Sequence, residues 1–286
     1  TGGAEHAVKH LFYARFFVKA IRDLGLVEFE EPFTRLFNQG TIIADRHKMS
    51  KSRGNVVNPD SYVSDVGADT VRAYLMFIGP WDQGGEWDDS GLNGIARWLN
   101  RVWNLVLQGQ ENPLPKDGAD PGTVRDLRHI THKTIKRVTD DLEKFRYNTM
   151  LALLMELTNY LSKIQADRSA DAASWQEAVD ALLLMLAPVT PHFAEEVWAR
   201  TGHAYSIHNQ PFPAWDKSLA AEEQVTLVIQ INGKVRDKIE VPAAITEAEA
   251  KELALSQPRV KSFLSEKQTD KVIYVPKRLV NIVVKQ

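Results

Sequence analysis

Cationic and hydroxyl side chains gather in residues 47–55, where they have the composition of a phosphate-binding loop. The stretch follows an apolar run and contains Lys48, Ser50, Lys51 and Gly54. Ammonium groups supply compact positive charge, hydroxyls add hydrogen bonds, and glycine lets the backbone approach a ligand closely. Because no nucleophile with an adjacent base occurs here, the stretch predicts stabilisation of charge on a leaving polyphosphate. An ordinary solvated surface loop is the alternative.

A second candidate ligand contact lies at the start of the sequence. Gly2 and Gly3 precede a pattern of apolar residues at helical spacing, which predicts a tight loop that opens a helix. His6 and His10 are four positions apart and therefore share one face of that helix. The sequence offers no third ligand beside them, so no protein-bound metal is predicted. A hydrogen-bonded, partly buried histidine pair is the alternative.

Composition restricts the class of protein. The 286 residues are 44% hydrophobic and 25% charged, which is typical of a globular protein with two or three modules. No apolar run reaches the length that crosses a bilayer, so no membrane partner is predicted, and a cytoplasmic location is expected. The absence of cysteine excludes disulfides and thiolate metal sites. With a net charge of -2, any nucleic acid must meet local basic patches.

The first part of the sequence predicts a piece of an α/β nucleotide-binding domain over residues 1–57. A glycine-rich turn and a helix are followed by a short connecting helix at 32–38 and a buried strand at 40–44. The lysine-containing stretch then falls at the carboxyl end of that strand, where such sheets bind their ligands. The sequence opens on Thr1 without a methionine, which indicates a piece of a longer protein.

A helical bundle is predicted over residues 91–220, after a connecting segment at 58–90. Four stripes of apolar residues keep helical spacing and are separated by proline- and glycine-containing stretches. Between positions 125 and 146 there are seven basic and four acidic residues, which gives a local charge excess of +3. This excess indicates either the solvated outer face of an amphipathic helix or a surface that contacts phosphates.

The last segment, residues 221–286, predicts a small α+β domain. Two alternating strands flank Asn232 and Gly233, which form a type I′ hairpin turn, and Thr246 and Glu249 have the spacing of a capping box. Its basic residues serve either to bind a partner or to protect a strand edge. The expected fold class is mainly α with α/β and α+β parts: a partial Rossmann-type domain, a helical bundle and a small carboxyl-terminal domain.

Several strings in the sequence resemble the class I aminoacyl-tRNA synthetases. The string KMSKS, which begins at Lys48, resembles the signature loop of that class. The string GGAEHAVKHLFYARF resembles a segment in the catalytic domain of the leucyl enzymes, and LAPVTPHFAEEVW resembles part of the shared anticodon-binding bundle. The strings VIQINGKVRDKIEVP and KVIYVPKRLVNIVV resemble the carboxyl-terminal domain of bacterial-type leucyl enzymes. The resemblance thus extends over essentially the whole chain and indicates the carboxyl-terminal portion of a leucyl-tRNA synthetase.

The resemblance implies ligation of leucine to its tRNA at the expense of ATP, with Mg²⁺ accompanying the nucleotide. It assigns the catalytic phosphate role to Lys48 and Lys51. The ATP contacts that it implies are Gly2, Gly3, Glu5, Lys48, Met49, Ser50 and Lys51. It places His6 and His10 in the leucine pocket. Together with the basic patches, it predicts tRNA contacts at Arg128, Lys136, Arg137, Lys234, Arg236, Lys277 and Arg278.

The sequence departs from the complete family pattern in two respects. It contains no HIGH-type string, which supplies the other half of the ATP site, and no separate editing domain. We therefore expect the isolated chain to bind tRNA without full activity. The complete enzyme is expected to be monomeric or to pair with a separate chain that carries the HIGH motif. The alternatives are an isoleucyl-, valyl- or methionyl-type synthetase, and a non-catalytic tRNA-binding fragment or subunit.

Overall fold

The computed structural model divides into two compact units, residues 1–220 and 221–286. It describes residues 2–116, 118–221, 224–264 and 269–284. Within these ranges, the first unit has eight α-helices and a three-stranded sheet, and the second has two helices and a four-stranded sheet. The expected fold class, mainly α with α/β and α+β parts, is confirmed. Every described helix is too short or too polar to span a bilayer.

The first unit begins with a π-helical turn, Ala7–Phe12, that continues as an α-helix. Its strands are β1 (Thr41–Ala44), β2 (His47–Lys48) and β3 (Gly84–Glu86). Its helices are α1 (Tyr13–Asp23), α2 (Pro59–Val66), α3 (Ala68–Phe77), α4 (Asp89–Glu111), α5 (Pro121–Glu143), α6 (Tyr147–Asp167), α7 (Ala172–Leu186) and α8 (Pro191–Arg200).

The predicted helical bundle is formed by α4 to α8, and its stripes of apolar residues meet in one core. Trp98 on α4 is buried and donates a hydrogen bond from Nε1 to the Thr158 hydroxyl on α6, at 3.1 Å. Side chains cap the long helices: the Asp120 carboxylate accepts from the Thr123 amide at the start of α5. That bond holds the pKa of Asp120 below its ordinary value. Aspartate side chains thus satisfy backbone amides at the starts of α4, α5 and α7.

Helix α3 is fastened to the bundle at the start of α8. The buried Asp69 carboxylate accepts from the Phe193 amide at 2.6 Å and from His192 Nδ1 at 3.0 Å. Arg72 donates to the carbonyls of Val189, at 3.1 Å, and Pro188, at 3.2 Å. Asp69 and Arg72 therefore have a structural role, because they satisfy backbone groups between α7 and α8 that would otherwise lack partners.

The small sheet of the first unit has the order β2-β1-β3, with β1 antiparallel to β2 and parallel to β3. The backbones of β1 and β3 approach closely at Gly84, whose φ is 77°. A Cβ atom on Gly84 would lie 2.2 Å from the Thr41 carbonyl oxygen, so only glycine fits. The strand predicted at 40–44 is shorter and less buried than expected, since only Ala44 of β1 is buried.

The connecting helix expected at residues 32–38 is wrong. The segment is non-helical, and its aromatic side chains contact residues distant in sequence. Phe33 lies 5.5 Å from the His10 ring, and Phe37 lies 4.8 Å from the Phe145 ring, measured between centroids. The local sequence does not reveal these contacts, because the partner rings lie far away along the chain.

The second unit is a sheet of order β5-β4-β7-β6 with two helices, within the described residues. Its elements are β4 (Gln224–Ile231), β5 (Lys234–Pro242), α9 (Glu247–Ser256), α10 (Pro258–Leu264), β6 (Thr269–Val275) and β7 (Leu279–Val284). Asn232 and Gly233 both have positive φ, 47° and 78°, as the predicted hairpin turn requires. The capping box of Thr246 and Glu249 is confirmed.

Gly84→Ala is expected to loosen β1 from β3, because a side chain at that position meets the Thr41 carbonyl and requires an unfavourable φ. We expect a loss of more than about 1 kcal/mol, and hence roughly fivefold or faster exchange of the Trp87 amide, which donates to the Ile43 carbonyl. Hydrogen exchange measured by NMR checks this. Gly94→Ala on α4 is the control, since its Cβ would meet nothing closer than 4.0 Å. Equal Trp87 protection in both variants would contradict the expectation.

Candidate nucleotide and RNA sites

The lysine-containing stretch forms a β-hairpin followed by a short turn, and we call residues 41–55 the lysine hairpin. Strand β1 turns at Asp45 and Arg46, both with positive φ, and returns as β2. Ile43 pairs with Lys48, and Ala44 pairs with His47. A two-residue turn of this kind matches the twist of the paired strands. The hairpin therefore fixes where the first lysine leaves the sheet.

The second lysine follows on a separate short turn. After the half-buried Met49 and Ser50, residues 51–53 form a 3₁₀ turn that ends at Gly54, with φ 70°. Lys48 and Lys51 are both exposed, and neither makes an ion pair with any residue that the structure describes. Two unpaired ammonium groups near the carboxyl end of a strand suit an anionic ligand.

Two side chains that the sequence reasoning missed hold this hairpin. Glu86 on β3 accepts from the Arg46 amide at 2.9 Å. The Asn55 amide group bonds to the backbone of Ala44 and Ser50. The available sequence signal was an asparagine directly after a glycine in a polar loop, a residue type that often bonds to nearby backbone.

The predicted residues at the start of the chain line a separate cleft of about 930 Å³. Gly2, Gly3, His6 and His10 are in its wall, whereas Glu5 is not. Both imidazoles are exposed and neither is hydrogen-bonded to a described residue, so the alternative of a hydrogen-bonded, partly buried pair is wrong. The cleft can admit a small molecule between the helix and the segment that follows it.

Three charged side chains line this cleft: Arg35 and a paired arginine and glutamate. Arg15 donates from Nε and Nη2 to the two carboxylate oxygens of Glu31, both at 2.7 Å. These bonds lower the pKa of Glu31. Lys48 and Lys51 do not line the cleft, so the structure does not bring the two sets of predicted ATP contacts into one pocket.

The helix beside the cleft exposes a large apolar surface. Five of its side chains are between 58% and 70% exposed: Val8, Phe12, Tyr13, Phe16 and Phe17. Single exposed apolar residues are ordinary, but a contiguous group of this size on one helix marks a surface that packs against something else.

The predicted RNA contacts on α5 differ in their availability. Arg128 Nε donates to Glu177 at 3.0 Å, and Glu177 also bonds to His132 Nε2. Lys136 lies over the Trp215 ring at 5.1 Å. Arg137 is exposed and makes no ion pair with a described residue. The charge of Arg128 is therefore partly neutralised, whereas that of Arg137 is free for a phosphate.

The corner between α5 and α6 contacts the segment before β1 and the segment before β3. Phe145 packs on Phe37, and Arg35 lies over the Phe145 ring at 5.5 Å. Tyr147 meets Trp81 edge to face at 5.0 Å between centroids. The Trp81 carbonyl accepts from the amide just before β1. These rings join the basic helix and the base of the hairpin in one packed body.

In the second unit, the predicted RNA contacts lie apart. Lys234 follows the β4–β5 turn, whereas Lys277 and Arg278 lie in the β6–β7 turn at the other end of the sheet, about 13 Å along the strand direction. All three are exposed. Arg236 is the extra residue of a β-bulge, and its guanidinium lies over the Phe263 ring at 4.3 Å. Arg236 is therefore less available for contact with RNA than Lys234, Lys277 and Arg278.

No described group of three or more histidine and acidic residues has a geometry suited to a metal ion.

Comparisons with known proteins show what the chain is similar to. The family of class I tRNA synthetases (I, L, M and V) matches residues 13–86, and the anticodon-binding domain of tRNA ligase matches 125–252. A leucine–tRNA ligase of Dehalococcoides mccartyi is 58% identical over 100% of this chain and 35% of its own length. That of Rubrobacter xylanophilus is 53% identical over 99% and 34%. The chain thus spans about a third of these curated relatives.

Solved structures agree with this similarity. The Agrobacterium radiobacter LeuRS in a ternary complex with tRNA and LeuAMS is 33% identical, with a TM-score of 0.84 over 100% of this chain and 38% of that one. A Mycobacterium tuberculosis methionyl-tRNA synthetase in complex with methionyl-adenylate is 21% identical, with a TM-score of 0.52 over 65% of this chain and 41% of that one. The second match shows a shared fold alone.

Proposed function

This chain belongs to the leucine–tRNA ligases among the class I tRNA synthetases, and from that membership we propose that it supplies the lysine hairpin and the tRNA-binding surfaces of such an enzyme. The proposed reaction joins leucine and ATP into leucyl-adenylate with release of pyrophosphate, after which leucine passes to its tRNA. A cytoplasmic location, a monomeric enzyme and Mg²⁺ bound with ATP are parts of the same proposal.

The observation that carries the proposal is the lysine hairpin. Lys48 and Lys51 are exposed, unpaired with any described residue and held near the carboxyl end of β1. Adenylate formation develops negative charge on the departing pyrophosphate, and fixed cations at that point lower the barrier. The hairpin has no nucleophile to offer, so its chemistry is electrostatic.

The cleft of His6 and His10 is the proposed leucine pocket, although it is separate from the hairpin. We infer that the exposed apolar side chains of the same helix pack against further parts of the catalytic domain, because the relatives are about three times longer than this chain. On this reading, a complete ATP site needs those parts, and this chain alone does not catalyse the reaction.

Transfer RNA is the proposed macromolecular partner. The solved LeuRS relative binds tRNA, and its fold matches this whole chain. The basic residues of α5 and of the second unit are spread over several exposed positions, a distribution that suits contacts with the phosphate backbone better than base reading. Leucine is preferred over isoleucine, valine or methionine because the two most similar relatives described above are leucine–tRNA ligases.

Lys51→Ala is expected to lower leucine-dependent ATP–pyrophosphate exchange by about 10²-fold in the protein at its full natural length, because it removes a cation that stabilises the transition state. Binding of tRNA should change little. Lys217→Ala, at an exposed lysine far along the sequence, is the control and should leave exchange intact. Normal exchange in the Lys51 variant would remove that residue from the mechanism, and absence of leucine-dependent exchange in the wild-type protein would refute the proposed reaction.

Arg137→Ala is expected to weaken binding of leucine tRNA to this chain and to reduce the slope of log affinity against log salt by about 1, because it removes one phosphate contact. Arg128→Ala is the matched comparison on the same helix. Since Arg128 is already paired with Glu177, its loss should change the slope less. Fluorescence anisotropy across a salt series measures both. A larger effect at Arg128 would show that the ion pair opens on binding.

A further inference from the structure

The side chain of Asn55 joins three parts of the lysine hairpin. Its Oδ1 accepts from the Ser50 amide at 2.9 Å, and its Nδ2 donates to the Ala44 carbonyl at 3.0 Å. Nδ2 also lies 3.5 Å from the carbonyls of His47 and Lys48. The end of β1, strand β2 and the backbone after it therefore converge on one amide group.

The chemistry of these contacts requires a carboxamide. One side of the group must accept from an N–H and the other must donate to carbonyls, and asparagine is the shortest side chain that does both. The orientation is fixed by the partners, because the flipped amide would set its NH₂ against the Ser50 N–H and its oxygen against the Ala44 carbonyl. The side chain is thus committed to the hairpin backbone and does not face a ligand.

The rest of the hairpin is too slight to hold this conformation by itself. Strand β2 has two residues and two register pairs with β1. The 3₁₀ turn at Lys51–Arg53 is one turn long, and short ladders and single turns of this kind are marginal in water. Both lysines lie within three residues of a backbone atom that Asn55 contacts, so their positions depend on that amide group.

We propose that Asn55 is a positioning residue for polyphosphate binding: its amide group holds the hairpin from Ala44 to Ser50 so that Lys48 and Lys51 present their ammonium groups together to one ligand. The proposal rests on the phosphate role of the hairpin in the proposed function. Asn55 touches no substrate and acts through the backbone beneath the two lysines.

Binding of inorganic tripolyphosphate to this chain tests the proposal directly, measured by calorimetry at low salt. We expect Asn55→Ala to weaken binding about tenfold, because two hydrogen bonds that preorganise the lysines are lost. Asn55→Gln, which carries the same amide one methylene farther out, should recover part of that affinity. The matched control is Asn58→Ala, which removes the cap that accepts from the Asp60 amide three residues beyond the hairpin and should leave binding unchanged.

Amide exchange separates a loosened hairpin from a failed fold. In the Asn55→Ala variant the Ser50 amide should exchange faster, while the Trp87 amide, which reports on the β1–β3 pairing, keeps its protection. Wild-type affinity in Asn55→Ala, together with weaker binding in Lys51→Ala, would overturn the role of Asn55 and leave the proposed function standing. Equal binding by wild type and Lys51→Ala, or none by either, would overturn both.

Discussion

The parallel pairing of β1 with β3 is the contact on which the placement of the lysine hairpin depends. Gly84 permits the close approach of the two backbones, and the Trp87 amide extends the pairing by donating to the Ile43 carbonyl at 2.9 Å. Trp87 then packs on the rings of Tyr62 and Tyr74, at 4.9 and 5.1 Å between centroids. The loop that carries the two lysines is thereby attached to packed structure at its base.

The same pairing connects the hairpin to the bundle. Helix α4 starts two residues after Trp87, and the Asp88 amide donates to the Tyr74 hydroxyl at 2.7 Å. On the other side, the ring of Phe145 packs on the segment before β1, and the ring of Tyr147 packs on the segment before β3. Because the basic helix α5 leads directly into that corner, an RNA bound along α5 would contact the same packed body that carries the lysines.

Much of this architecture follows from the sequence because it depends on local rules. Helical spacing of large apolar residues specified the bundle, and the Asn232–Gly233 turn and the Thr246 capping box specified two features of the second unit. The helix predicted at residues 32–38 is wrong because tertiary contacts determine the conformation of that segment. Phe33 and Phe37 in the non-helical segment pack on rings far away in sequence, so their spacing carried no local information.

In the candidate site, too, the sequence indicates residue types, whereas only the folded structure shows their contacts. Residue types at Lys48 and Lys51 indicated phosphate chemistry, and the structure adds that both are unpaired among the described residues. The pairing of Arg128 with Glu177 joins two helices and was invisible in a count of charges. Likewise, the sequence contains Asn55, but only the folded hairpin shows that its amide group spans Ala44 and Ser50.

We propose that this chain carries the tRNA-recognition surfaces of a leucine–tRNA ligase. Titration of the chain with a leucine tRNA and with an unrelated tRNA, over a series of salt concentrations, tests it most directly. We predict tighter binding of the leucine tRNA that weakens steeply as salt rises, because phosphate contacts dominate and the shape of the RNA provides the selectivity. Equal, weak binding of both RNAs would contradict the account and leave only generic electrostatic attraction.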